Sequence, residues 1–153
     1  MSFYNIKNLT NEYSECEKIL RNLPEWFGIE SAIIEYVEDI KKMKTFLVEV
    51  NSTIIGFATI NSHNKYTAEI HVMGIEKEYH NKKIGSELIT YIANILKKEY
   101  YEYLIVKTLS DSHPDLNYKK TRNFYLSNEF KPVQEFKTLW GEENPCLLMI
   151  KKL

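Results

Sequence analysis

The chain has 153 residues, of which 44% are hydrophobic and 27% charged, a composition that excludes an intrinsically disordered chain and gives, as a length expectation, one domain over residues 1–153. Its 20 Lys plus Arg are balanced by 21 Asp plus Glu, for a formal net charge of -1, and the lysines are dispersed among acids. A concentrated basic face of the kind that binds nucleic acid is therefore excluded, and no nucleic-acid partner is expected.

Taken in chain order, the opening MSFYNIKNLTNEYSE has neither a basic n-region nor an apolar core, and no window approaches a membrane span; the expectation is a cytoplasmic protein without a membrane partner. Residues 3–9 predict a short strand. From Glu12 to Leu23, Tyr13, Cys16, Ile19, Leu20 and Leu23 recur at helical spacing, with Asn11 as the expected N-cap and Pro24 as the stop. Trp26, Phe27 and Gly28 interrupt the pattern. It resumes over Ile29–Lys42, where Ile33, Val37 and Ile40 share a face. TFLVEV, TIIGFATI and TAEIHVMGI, separated by Asn51-Ser52 and Asn61-Ser62-His63-Asn64, predict an antiparallel meander. Ile84–Tyr100 is helical again, with Ile84, Leu88, Ile92, Ile95 and Leu96 in one stripe, and YLIVKTL at 103–109 is a buried strand. A short helix over Thr121–Asn128 and strands over Phe130–Trp140 and Cys146–Lys151, around a Gly141–Pro145 turn, complete the chain. These elements predict an α/β (α+β) fold, a mixed and mostly antiparallel central sheet of about seven strands flanked by about four helices. Cys16 and Cys146 are expected as reduced core residues, and His63, His71, His80 and His113 lack HxxxH or HExxH spacing, so no metal is expected.

Chemistry concentrates where the third meander strand meets the long helix, at Ile75-Glu76-Lys77-Glu78-Tyr79-His80-Asn81-Lys82-Lys83-Ile84-Gly85-Ser86. A helix start presents unpaired N–H groups and the positive end of its dipole, and Gly85 has no Cβ to block a phosphate near the backbone. An anion site and a plain helix start with two solvated lysines, Lys82 and Lys83, both fit this stretch. On the strand that leads into it, Glu69 and His71 are two residues apart and so on one face, where either could accept a proton.

This junction resembles the cofactor-binding motif of the GNAT superfamily of N-acyltransferases, in which a strand is followed by Gln or Arg, two spacers, Gly, any residue, then Gly or Ala. His80 stands at the Gln/Arg position, Lys83 at the first Gly and Gly85 at the closing Gly/Ala, with Ser86, also a small residue, directly after it. Lys83 is expected to swing outward or to pair with a phosphate. Some forty residues on, Thr121–Phe130 resembles the family's FYxxxGF helix: Phe124, Tyr125 and Phe130 match, and Glu129 replaces Gly, which leaves Asn128 as the expected helix cap.

The resemblance implies acetyl-coenzyme A as co-substrate, cradled by His80, Asn81, Lys82, Lys83, Ile84, Gly85 and Ser86 and bonded by the main chain of Met73, Gly74 and Ile75. It implies Tyr125 as the acid toward the departing sulfur and Glu69 at the family's general-base position, with His71 as the other candidate base. Trp26, Phe27 and Glu30 would border the acceptor. Residues 24–39 carry five acids and no Lys or Arg, which fits either a solvated helix face or attraction of a cationic amine. The expectation is thus an N-acetyltransferase acting on a primary amine of a small molecule or peptide by direct attack, as a monomer or homodimer. A binding module of the same fold without efficient catalysis, and an interaction protein using some of the 11 tyrosines, are the alternatives.

Overall fold

The computed structural model describes residues 3–153. Its elements are β1 (Asn5–Asn8), α1 (Tyr13–Arg21), α2 (Glu30–Lys42), β2 (Lys44–Val50), β3 (Thr53–Ser62), β4 (Thr67–Ile75), a single 3-10 turn (Lys77–Tyr79), α3 (Ile84–Lys98), β5 (Tyr103–Leu109), α4 (Leu116–Ser127), β6 (Lys131–Phe136) and β7 (Cys146–Lys152). The strands form one sheet of seven in the order β1-β2-β3-β4-β5-β7-β6. Pairing is antiparallel for β1 with β2, β2 with β3, β5 with β7 and β6 with β7, and parallel for β4 with β5. The expected mixed, mostly antiparallel sheet with four helices is the fold observed.

Turn chemistry sets the meander. Asn51 and Ser52 both take left-handed backbone, φ 48° and 65°, the two-residue hairpin geometry whose twist suits the flanking strands. At the next turn Asn64 Oδ1 accepts from the N–H groups of Tyr66 and Thr67 at 2.8 and 3.0 Å, and His63 N–H donates to the Thr67 carbonyl at 3.0 Å. This side-chain mimic of a backbone turn fixes the register in which β4 begins.

The chain forms two compact units: the described residues up to Asn61 with His71–Leu88, and Ser62–Ile70 with Ile89–Leu153. In the first, the apolar face of α1 (Cys16, Ile19, Leu20) and Leu23 join Ile33 and Ile40 of α2 in a cluster with Leu47, Phe57 and Val72. Gly74 allows β4 to lie close to α1: a Cβ there would stand 3.1 Å from Ile19 Cγ2 and 3.2 Å from Leu23 Cδ1. In the second, β5 and β7 pair over their full length, from Tyr103↔Lys152 to Leu109↔Cys146. The β4–β5 register covers only Thr67↔Tyr103 to Ile70↔Val106, although β4 runs on to Ile75.

Several local expectations are corrected. The N-cap position of helix α1 is Glu12 and not Asn11: its carbonyl accepts from the Glu15 and Cys16 N–H groups, while its carboxylate folds back to accept from the Thr10 and Asn11 N–H groups at 2.8 and 3.0 Å. Those bonds hold its pKa down to about 2. Helix α4 starts five residues before Thr121, because Asp115 Oδ1 accepts from the Asn117 and Tyr118 N–H groups at 2.8 and 3.0 Å and opens the helix directly after Pro114. Strand β6 stops at Phe136, short of Trp140. At the end of α4 the left-handed residue is Glu129 (φ 69°) and not Asn128 (φ -98°), so the residue that replaces Gly adopts the backbone glycine would have taken. Asn128 instead donates its Nδ2 to the Phe124 carbonyl at 2.8 Å.

Candidate functional site

Strand β4 ends at Ile75, and the segment from Glu76 to Lys83 turns it into α3. Two side chains fix the start of this turn to the end of α1: Asn22 Nδ2 donates to Glu76 Oε1 at 3.0 Å, and Lys77 pairs with Glu25. His80, at the family's Gln/Arg position, is committed locally. Its Nε2–H donates to the Ile75 carbonyl at 2.6 Å, and the Trp26 ring meets it edge-on with centroids 5.8 Å apart. The imidazole thus closes the turn on itself, and Trp26 serves as its wall.

Beyond His80 the backbone is unusual for its residues. Asn81 and Lys83 have φ 61° and 64°, so two left-handed residues flank Lys82, a curl that brings backbone N–H groups toward one concave side. The Lys83 carbonyl accepts from Glu87 N–H at 3.0 Å, which opens α3 and leaves the amides of Ile84, Gly85 and Ser86 without intrahelical acceptors. Asn81, Lys82 and Lys83 are exposed, Gly85 and Ser86 half-buried, and Ile84 is buried as the anchor. Lys83, expected at the place of a glycine, thus takes the left-handed backbone that glycine adopts without strain. Such a run of amides at a helix's positive end can hold a phosphate by backbone alone.

Upstream on β4, alternation puts Glu69, His71 and Met73 on one face, yet Glu69 and His71 belong to separate polar pairs. Glu69 is 5% exposed; it accepts from His63 Nε2 at 2.6 Å and lies 3.3 Å from Lys107 Nζ. His71 Nε2–H donates to Asp39 Oδ2 of α2 at 2.8 Å, and its ring meets Tyr36 edge-on at 5.6 Å. Tyr36 in turn meets Phe27 at 5.9 Å, so an aromatic row runs from the α1–α2 connection to the imidazole on β4. Met73 is half-buried, and Gly74 and Ile75 are buried.

Tyr125 sits on the buried face of α4 between Phe124 and Phe130, with ring centroids 5.3 Å away on each side. Burial, with a smaller contribution from Tyr118, pushes its phenol well above the ordinary range, which keeps the hydroxyl protonated and available as a donor at neutral pH. One turn earlier on α4, the buried Arg122 donates to the Leu109 carbonyl at 2.8 Å and ties α4 to the end of β5.

The acidic stretch is less negative than its composition suggests. Arg21 donates to both oxygens of Glu30 at 2.8 Å, Lys77 pairs with Glu25, Lys41 with Glu38 at 3.0 Å, and Asp39 with His71. The Glu30 and Glu25 carboxyls are held below the usual range by those hydrogen bonds. Both cysteines are buried and free, with the Cys16 thiol pushed up to about 12 and Cys146 to about 11, in each case by burial first. Neither is a ready nucleophile. Among the described residues no group of His, Cys, Asp and Glu is arranged to hold a metal ion, and no helix is long and apolar enough to cross a membrane.

Sequence reasoning treated His63 as a turn residue, counted Asp39 only among the five acids of residues 24–39, and passed over Lys107 and Tyr36. The hairpin register could have placed His63 near Glu69, since the two flank a turn whose Asn64 is a strong turn former. Asp39 lay hidden among the acids of α2.

The family model described as "Acetyltransferase (GNAT) family" matches residues 5–126. No curated protein sequence matches the chain. Among solved structures, a GNAT family acetyltransferase from Elizabethkingia anophelis with acetyl-CoA bound is 17% identical, with a TM-score of 0.78 over 100% of both chains. The aminoglycoside 6'-N-acetyltransferase from Enterococcus faecium is 18% identical, TM-score 0.73, covering 97% of this chain and 96% of the other. The ribosomal-protein-S18-alanine N-acetyltransferase from Escherichia coli is 13% identical, TM-score 0.77, covering 97% and 93%. At these identities the likeness is one of fold.

Proposed function

The chain belongs to the acetyltransferase (GNAT) family, and from that premise we propose that it transfers an acetyl group from acetyl-coenzyme A to a primary amine by direct attack within a ternary complex. The observation that carries this reading is the turn after β4, where left-handed Asn81 and Lys83 lead into the free amides of α3. Those amides, with Lys82 and Lys83 at the rim and His80 bracing the turn, are assigned the pyrophosphate. The main chain of Met73, Gly74 and Ile75, beyond the last β4–β5 pair at Ile70↔Val106, is assigned the pantetheine arm. Side-chain identity matters little for contacts of that kind, which accounts for a motif in which Lys replaces Gly.

The chemistry requires two proton movements. An ammonium must lose a proton before nitrogen can attack the thioester, and its second proton leaves as the C–N bond forms and the C–S bond breaks. We assign the first to one of the two polar pairs of β4, that of Glu69 or that of His71, and the donor to the leaving thiolate to Tyr125, whose raised pKa keeps it protonated. The proton given to the thiolate is replaced from the attacking nitrogen, so the phenol is regenerated in each turnover. Trp26, Phe27 and Glu30 are assigned the border of the acceptor. Because Arg21 neutralises Glu30 and Lys77 neutralises Glu25, the attraction of a cationic acceptor by this stretch is expected to be weak.

The test is a panel of primary amines, small molecules and N-terminal peptides, incubated with acetyl-coenzyme A while free thiol is measured and the amine is weighed by mass spectrometry. Amine-dependent thiol release matched by a gain of one acetyl group supports the reading. Binding of coenzyme A without such turnover overturns it.

A further inference from the structure

Glu69 stands at the family's base position, but its surroundings suit another role. Its side chain is 7% exposed and is held between His63 Nε2 at 2.6 Å and Lys107 Nζ at 3.3 Å. His63, at the tip of the β3–β4 hairpin, has 38% of its side chain exposed. An ionised carboxylate has acceptor oxygens only, so Nε2 carries the hydrogen of this bond, and in the neutral imidazole that leaves the lone pair on Nδ1. The arrangement is a solvent-facing imidazole, oriented by a buried carboxylate that a lysine also contacts. Among the described residues, the imidazole–carboxylate pair of His71 with Asp39 differs in that both members are half-exposed, at 25% and 34%.

We propose that His63 is the group that takes the proton from the acceptor's ammonium, directly or through one water, and that Glu69 and Lys107 are its positioning residues. The inference rests on the acetyltransfer reading and specifies its proton path. Nδ1 of His63 accepts one proton from R–NH3+, giving imidazolium and the free amine; the amine attacks the thioester carbonyl, the C–N bond forms and the C–S bond breaks. The second nitrogen proton ends on the sulfur by way of Tyr125, and the imidazolium returns its proton to water. The imidazolium formed midway is stabilised by the adjacent Glu69 charge, the same logic by which a buried carboxylate supports a catalytic histidine elsewhere. As a group type, an imidazole is a stronger base than a carboxylate and is matched to neutral pH.

The charged and titratable groups around this pair are few. Glu69 comes from β4, Lys107 from β5, and the Cys146 thiol of β7 lies in the field of both, raised to about 11 by burial. Tyr101, after α3, hydrogen-bonds Ser62 next to His63 at 2.6 Å.

The experiment compares wild type, His63→Ala, Glu69→Gln and the double variant, with an amine that the wild type acetylates. Calorimetric coenzyme A binding and thermal melting serve as checks on folding. His63→Ala is expected to lower kcat/KM by about 10²-fold to 10⁴-fold, to remove the acid limb of its pH profile, and to recover activity when free imidazole is added. Glu69→Gln is expected to cost nearly as much and the double variant no more than His63→Ala alone, since the two act as one unit. A folded His63→Ala protein with the wild-type rate and pH profile overturns the inference while leaving acetyl transfer intact. A loss that imidazole fails to rescue, or losses that multiply in the double variant, also overturn it, because a purely structural role behaves that way. A wild type that acetylates no amine removes both this inference and the reading beneath it.

Discussion

The turn after β4 and the polar group around Glu69, the two halves of the proposed site, are built in opposite ways. The turn works through backbone: its exposed residues Asn81, Lys82 and Lys83 contribute conformation, and the amides of α3 supply the donors. The Glu69 group is one of side chains, a buried carboxylate with an imidazole at 2.6 Å and an ammonium at 3.3 Å from it. A backbone site tolerates exchange of its side chains as long as φ and ψ survive, and a side-chain site does not. Substitutions should therefore be mild at the turn unless they alter the chain path or fill the cradle, and severe one by one where protons are moved.

The largest effect is expected at Tyr125. Tyr125→Phe keeps the rings of Phe124 and Phe130 in contact and removes only the hydroxyl, so kcat should fall by about 10²-fold to 10⁴-fold while coenzyme A affinity stays within a factor of about two. Steady-state kinetics with calorimetric binding checks this; equal losses in affinity and rate would make Tyr125 a packing residue. Next is Gly85→Val, which places a branched side chain beside the free amides of the first turn of α3. Coenzyme A affinity should drop about 10-fold or more, equivalent to about 1.4 kcal/mol, with the melting temperature nearly unchanged.

Lys83 gives the sharpest contrast between conformation and side chain. Lys83→Gly should preserve binding and hold or raise stability, because glycine takes left-handed φ without strain, whereas Lys83→Val should lower stability by about 1 to 2 kcal/mol and disturb binding through the chain path. Denaturant unfolding of the two variants separates these outcomes.

Smaller still is the contribution of Glu12. Its pKa is held at about 2 by the Thr10 and Asn11 N–H groups. A depressed folded-state value means that the stabilisation is fully present above the unfolded value near 4.5 and is lost as pH falls toward 2. Glu12→Gln should therefore lower the melting temperature slightly at pH 7 and have no effect near pH 2. The group is exposed, so the difference should stay below about 1 kcal/mol. Least of all is expected from Glu30→Gln, whose charge is already paired with Arg21; KM for a dicationic amine should change by less than about threefold between low and high salt.

The same contrast explains what could be seen in the sequence. The meander, the long α3 and the strand β5 were legible because Val, Ile, Leu and Phe recur at the period of the element that buries them, and Phe46, Phe57, Leu88 and Leu104 are indeed fully buried. Element ends were not, because caps are made by single hydrogen bonds: Asp115 opens α4 well before the apolar pattern of Phe124 and Tyr125 begins, and Glu12 folds backward. The turn at His80–Ser86 was visible as a spacing, but its left-handed residues were not, since nothing in the letters Asn and Lys demands positive φ. His63 and Lys107 were invisible because Glu69 meets them across a hairpin and across a strand pair, separations of 6 and 38 residues that only the register brings together.

The account stands most directly on a single time course in which purified protein, acetyl-coenzyme A and a primary amine are mixed and both products are counted. It predicts one free coenzyme A thiol and one N-acetylated amine per turnover, with no acetyl group left on the protein, as direct attack requires. Thiol release without amine, accumulation of acetyl-protein, or tight coenzyme A binding with no product at all would contradict it.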